Sequence, residues 1–160
     1  MLFMNNKYIN IYNNLVNLTR NKKLYNSFSS RDTFSDRLIF FLFHFAFFLK
    51  VFKKTNKKNI LQEIYDHIFK YLELSLREMG YGDATINKKM KNYLNIFHLI
   101  LDQINDWKTA SNSDKAKILS DFLNINENTS NLIDYFDNYL VNLSNNTLNF
   151  YIKGVVKDNF

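Results

Sequence analysis

The sequence predicts an all-α protein, a single-domain bundle of about six helices, from scarce turn residues, a length suited to one core and apolar residues at helical spacing. Its 160 residues include no proline and three glycines. Sheets need many turns, and turns recruit Gly and Pro, so this scarcity favours long helices joined by Asn, Ser and Asp loops. Hydrophobic residues make up 46% of the chain, enough for one core, and no shift in composition marks a linker. The abundance of Asn, Lys and Ile reads as nucleotide bias rather than as a prion-like tract.

The first helix is expected near residues 6–25, where Tyr8, Ile11, Tyr12, Leu15, Val16 and Leu18 or Thr19 recur at helical spacing. Residues 1–31 are basic and free of acid, as a mitochondrial transit peptide would be, but this periodicity favours a mature helix. No secretory signal is expected, because Asn and Lys interrupt the first apolar residues. The second helix is expected near 35–54 and the third near 58–79, with Leu61, Ile64, Tyr65, Ile68, Leu72, Leu76 and Met79 as its core stripe. On its opposite face Asp66 with Lys70, and Glu73 with Arg77, form acid-first pairs at four-residue spacing. A sharp corner follows. Gly80 can take left-handed angles just past a helix C-terminus, and Asp83 can cap the next helix.

The fourth helix, near 84–107, carries Ile86, Met90, Tyr93, Phe97, Ile100, Leu101 and Ile104 on one face. Ser113 with Asp114 opens a short fifth helix to about Leu123. Thr129 or Ser130 opens a sixth that reaches Leu143 or beyond, with Leu132, Phe136, Tyr139, Leu140, Leu143 and Phe150 as its stripe.

Helix two is apolar nearly all round. Leu38, Phe41, Leu42, Phe45, Phe48, Leu49 and Phe52 fill one face, while Ile39, Phe40, Phe43 and Phe47 fill the other. Such a helix is either central or presents its second face to something outside the chain. Its uninterrupted apolar run, 38–49, falls short of the roughly 18–20 residues that hydrocarbon requires. Charge favours an external partner. Net charge is +6, but residues 1–60 carry +9 and the remainder −3. Lys50, Lys53, Lys54, Lys57 and Lys58 follow the phenylalanines, and Lys50 with Lys54 continue the line of Phe40, Phe43 and Phe47. This ridge is the candidate client or membrane surface. Lys88, Lys89 and Lys91 form a second cluster at the start of helix four, where they oppose the helix dipole, and are the candidate contact for an anion or partner. That anion would be Asp83 with a neighbouring carboxylate, or an acidic group of the partner.

The corner Leu76-Arg77-Glu78-Met79-Gly80-Tyr81-Gly82-Asp83 resembles the LREMGxGD signature of the ubiquinol-cytochrome c chaperone family, assembly factors for the cytochrome b subunit of respiratory complex III. Asp32-Thr33-Phe34-Ser35-Asp36-Arg37, followed by the apolar run holding His44, resembles the family's DT-F-x-x-R segment. The segment from Ile86 to Lys91 is also similar, with Asn87 where proline is usual, so the resemblance spans roughly residues 8–143. It departs at Ile96-Phe97-His98-Leu99-Ile100, where the family has an aromatic pair and Gly-Arg, and at Ser30-Arg31, where Val-Pro commonly precedes Asp-Thr. Arg77 and Glu78 are expected to hold the corner by internal pairing.

Cysteine is absent, which excludes disulfides, thiolate metal sites and cysteine nucleophiles. His44, His67 and His98 fall on three helices without triad or metal-ligand spacing. Glu63 with His67 is the best metal pair, and a surface ion pair is the commoner meaning of that spacing. His44 is expected to be a hydrogen-bonded core residue. No glycine loop could cradle a phosphate, so neither an enzyme nor a cofactor is expected. The resemblance implies a non-catalytic chaperone for cytochrome b or its nascent chain. Its further contacts would be a small partner assembly factor, the ribosome or an anionic membrane surface, with no small-molecule substrate. Such a protein would sit in the bacterial cytoplasm against the membrane, or on the matrix side in a mitochondrion. The alternative from lysine clusters and aromatics is a helical RNA-binding module.

Overall fold

The computed structural model describes residues 6–25, 33–123 and 129–154, which form seven α-helices and two short 3₁₀ turns, with no strand among them. Helix α2 (Phe34–Phe52) is the centre of the packing. Thr33 fixes its start. The Thr33 Oγ1 accepts from the Asp36 N–H at 3.2 Å and donates to the Asp36 carboxylate at 2.9 Å, so one side chain closes the first turn.

Both apolar faces of α2 are covered, as a helix without a polar side requires. On the first face, Phe41 meets Tyr12 of α1 (Ile9–Thr19). Phe45 packs against Phe69 of α3 (Lys58–Glu78) and, at 5.3 Å between ring centroids, against Phe97 of α4 (Asp83–Gln103). On the second face, Phe40 meets Tyr25, and Phe43 meets Phe122 of α5 (Asn112–Leu123) and Phe136 of α6 (Ser130–Ser144). Phe47 lies 5.2 Å from both Trp107 and Phe136. The exposed ridge expected at Phe40, Phe43 and Phe47 is thus corrected: each is at most 1% exposed, because α5, α6 and the turn at Trp107 fold over it. Each such burial contributes about 1.5–3 kcal/mol relative to leaving the ring exposed. Among the described residues no helix is long and apolar enough to cross a membrane.

Element boundaries moved where the chain changes direction. The first expected helix divides into α1 and a 3₁₀ turn, Lys22–Leu24, capped by the Asn21 side chain. Helix α4 ends at Gln103, and the chain passes through a 3₁₀ turn, Trp107–Thr109. The Ser111 hydroxyl, rather than Ser113, accepts the N–H of Asp114 and opens α5. The sixth expected helix stops at Ser144, and α7 (Leu148–Lys153) begins afresh with Thr147 accepting from the Phe150 N–H. That restart resets the helical phase. Leu148 and Tyr151 turn inward, and Phe150, expected in the core, is 43% exposed.

The stripe of α3 is buried at Leu61, Ile64, Ile68, Leu72 and Leu76, but Met79 is the C-cap and faces solvent. In α4 the stripe is buried except at Met90 and Leu101, which are half-buried. On the outer face of α3, Glu73 receives Lys70 at 2.9 Å and Arg77 at 3.8 Å, while Asp66 accepts from Gln62. The Asp66 and Lys70 pair expected from spacing therefore gives way to a three-residue contact.

Candidate functional site

The two segments that resemble the family signature lie at helix ends. Thr33 caps α2, and Arg37 lies exposed in its first turn, while Asp32 lies outside the described residues. At the corner, Gly80 follows the C-cap with φ +95° and its N–H bonds to the Arg77 carbonyl at 3.0 Å, as expected of a glycine just past a helix. Gly82, in extended conformation, is the N-cap of α4. Asp83 was expected to cap that helix with its side chain. Instead its carboxylate reaches back across the corner to the Arg77 guanidinium, clasping α3 to α4 and holding Arg77 above its ordinary pKa. Glu78 is exposed. Of the second lysine cluster, the Lys89 ammonium sits 4.9 Å over the Tyr81 ring, and Lys88 and Lys91 are exposed. Asp83 is taken up by Arg77 and is not the counter-ion expected for them.

His44 is wholly buried and satisfied at both nitrogens. The Nδ1–H donates to the Phe40 carbonyl at 2.6 Å, and Nε2 accepts from the Tyr135 hydroxyl at 2.7 Å. Burial lowers its pKa to about 4, against the opposing pull of the Phe40 carbonyl, so the ring is a neutral strut between α2 and α6. His67 donates to the Glu63 carbonyl, and the Glu63 carboxylate pairs with Lys7 at 3.0 Å. No group of three or more His, Cys, Asp or Glu among the described residues could hold a metal.

The lysines that follow α2 do gather at a site. Helices α3 and α4 are joined at the Gly80 corner and part at their far ends, where the exit of α2 occupies the gap. The resulting cleft encloses about 910 Å³. From α2 and its C-cap it receives Leu49, Lys50 and Lys53; from α3, Lys58, Leu61 and Tyr65; from α4, His98, Leu101 and Asp102. At its end nearer the corner the Tyr65 hydroxyl lies 3.0 Å from His98 Nε2. Leucines form the floor and lysines the rim.

Lys50 joins this cleft to a second hollow of about 400 Å³ around Lys54, Lys108, Lys115 and Asp137, floored by Val51, Leu140 and the exposed Val141. The Lys50 ammonium donates to the Asn105 carbonyl at 2.8 Å, just beyond the C-terminus of α4. Burial, and after it the nearness of Lys54, push the Lys50 ammonium below its ordinary pKa, with Lys108 adding to the effect and Asp106 opposing it. In the second hollow Asp137 accepts from the Trp107 indole at 2.9 Å and pairs with Lys115 at 3.1 Å. Lys57, the N-cap of α3, is exposed beside the rim.

The lysine half of the expected ridge thus survives without its phenylalanines. Lys50 and Lys54 continue the line of Phe40, Phe43 and Phe47 in angle, but in the last turn of α2 that line leaves the aromatic core and enters the hollow beside Leu140, Val141 and Ser144 of α6. Sequence reasoning missed Asp102, Lys108, Lys115 and Asp137. The requirement that a buried indole N–H find an acceptor is the one signal that points toward Asp137, and it names no partner.

The ubiquinol-cytochrome C chaperone family matches residues 26–126, well over half of the chain. That segment runs from just before α2 to just after α5, and so contains the corner and the whole of the larger cleft. Neither the curated proteins nor the solved structures give a significant match. The chain belongs to the ubiquinol-cytochrome C chaperone family, assembly chaperones for ubiquinol-cytochrome c reductase.

Proposed function

We propose that this protein is a non-catalytic chaperone that holds newly made cytochrome b during assembly of ubiquinol-cytochrome c reductase, docked peripherally at an anionic membrane surface or at the ribosome, in the bacterial cytoplasm or on the matrix side. Family membership over residues 26–126 carries this reading. The concentration of lysines at one end of the bundle supports it, since basic side chains near an anionic surface each contribute about 1 kcal/mol to association. The buried phenylalanines of α2 take no part in that contact. They form the rigid body on which the basic end is mounted.

Capture of the client tests the proposal. The full chain, carrying a photo-crosslinking residue in place of Lys53, is expressed during pulse labelling of new proteins and irradiated. A crosslink to newly made cytochrome b that disappears on chase is the expected result. Adducts with RNA and none with cytochrome b would replace the chaperone by the RNA-binding module.

A further inference from the structure

We propose that the cleft at the open end of the α3 and α4 hairpin binds an acidic polypeptide segment with an apolar face, laid along the apolar floor with its carboxylates against Lys50, Lys53 and Lys58. The inference rests on the reading of the protein as a chaperone with a polypeptide client, and it adds which surface receives that client and what chemistry the segment must have.

Three features of the cleft select such an occupant. Its floor, Leu49, Leu61 and Leu101, is apolar and concave, so it takes a side chain or a helix face rather than a flat surface. Its rim carries three lysines against one carboxylate, Asp102, and continues through Lys50 into Lys54 and Lys108, so an incoming segment is favoured by negative charge. Asp102, Gln62 and Asn105 stand within the same cleft as groups that pair with the mixed donors and acceptors of a peptide.

A lipid phosphate would meet the same lysines but would gain nothing from Asp102. A planar membrane would meet the lysine rim and leave the concave floor empty. RNA binding without sequence preference relies on rings open to stacking. The aromatic groups at this cleft are Tyr65, whose ring packs against Phe69 and Phe97, and His98, whose ring packs against Tyr65 and Phe97. The cleft also lies at the end of the hairpin opposite the Arg77 and Asp83 clasp, so the two arms are held together at one end and leave room for an occupant at the other.

Binding is read by fluorescence anisotropy on the full chain with two labelled peptides of equal leucine content, one bearing Glu and the other Lys. Vesicles of phosphatidylglycerol and an oligouridylate serve as the other two probes. The Glu peptide is expected to bind, the Lys peptide to bind at least about tenfold more weakly, and added salt to narrow the difference. Lys53→Glu with Lys58→Glu, both exposed, should weaken the Glu peptide about tenfold while the thermal melt stays put. Lys53→Gln with Lys58→Gln gives the same direction should the double reversal disturb folding. Leu101→Ser on the floor should weaken it as well.

The proposal is overturned if the Glu peptide fails to bind, binds the variants as well as the native chain, or is outdone by vesicles or oligouridylate in the same lysine-dependent way. Capture of cytochrome b by the Lys53→Glu, Lys58→Glu chain separates the two ideas. Undiminished capture would remove this cleft and leave the chaperone standing. A native chain that binds the Glu peptide but never captures cytochrome b would leave the cleft and remove the client.

Discussion

His44 and Tyr135, ninety-one positions apart in the chain, meet at 2.7 Å in the core and bind the central helix to α6. Tyr135 lies beyond the segment that matches the family, as do Phe136 and Tyr139, which pack against the same imidazole. The C-terminal helices therefore complete the core around α2. Without them Phe43, His44 and Phe47 would lose their packing against Phe136.

The burial of His44 makes stability sensitive to acid. In the unfolded chain His44 binds a proton with a pKa near 6.5, and in the folded chain burial lowers this to about 4. Between those values the unfolded state holds more protons, so stability falls as pH drops from 6.5 toward 4 and the His44 contribution levels off below. The loss approaches about 3 kcal/mol at full extent. Thermal melts from pH 7 to pH 4 should show it, and His44→Gln, which has no proton to take up, should flatten the curve. A native chain and a variant with parallel pH profiles would exclude His44 as the source.

Phe47 gives the sharpest test of where the phenylalanine face lies. Stacked on Phe136 and edge-on to Trp107, it should cost about 3–5 kcal/mol when cut to Ala, and Phe43→Asp or Phe47→Asp should leave the chain unfolded by circular dichroism. Aspartate variants that fold and merely lose binding would restore the exposed ridge.

The corner separates backbone strain from space. A Cβ at either Gly80 or Gly82 would meet nothing within 4 Å, but Gly80 has φ +95° and Gly82 is extended. Gly80→Val should therefore destabilise by about 1 kcal/mol or more, while Gly82→Ala stays close to neutral. Equal melting temperatures for the two variants would remove the left-handed turn from the account.

The helices, the corner glycine and the structural role of His44 were legible because each rests on local chemistry. Period 3.6 marks a buried stripe, positive φ calls for glycine, and a lone histidine among phenylalanines needs partners for both nitrogens. The fate of Phe40, Phe43 and Phe47 was not legible. An all-round apolar helix is equally consistent with a centre or a docking face, and the choice belongs to Phe122, Trp107 and Phe136, far along the chain. The cleft was half legible. Its lysines stand out in sequence, but Leu61, Leu101 and Asp102 join them only because two helices fixed at one corner part at the other end. Phe150 escaped because Thr147 restarts the helix and with it the count of residues per turn.

The function rests on one claim, that cytochrome b depends on this protein. Deleting it and recording reduced-minus-oxidised difference spectra of the membranes tests that claim most directly. Selective loss of the b-type haem signal, restored by the native chain, is the expected result. Membranes that keep their full b-type signal without the protein would contradict it.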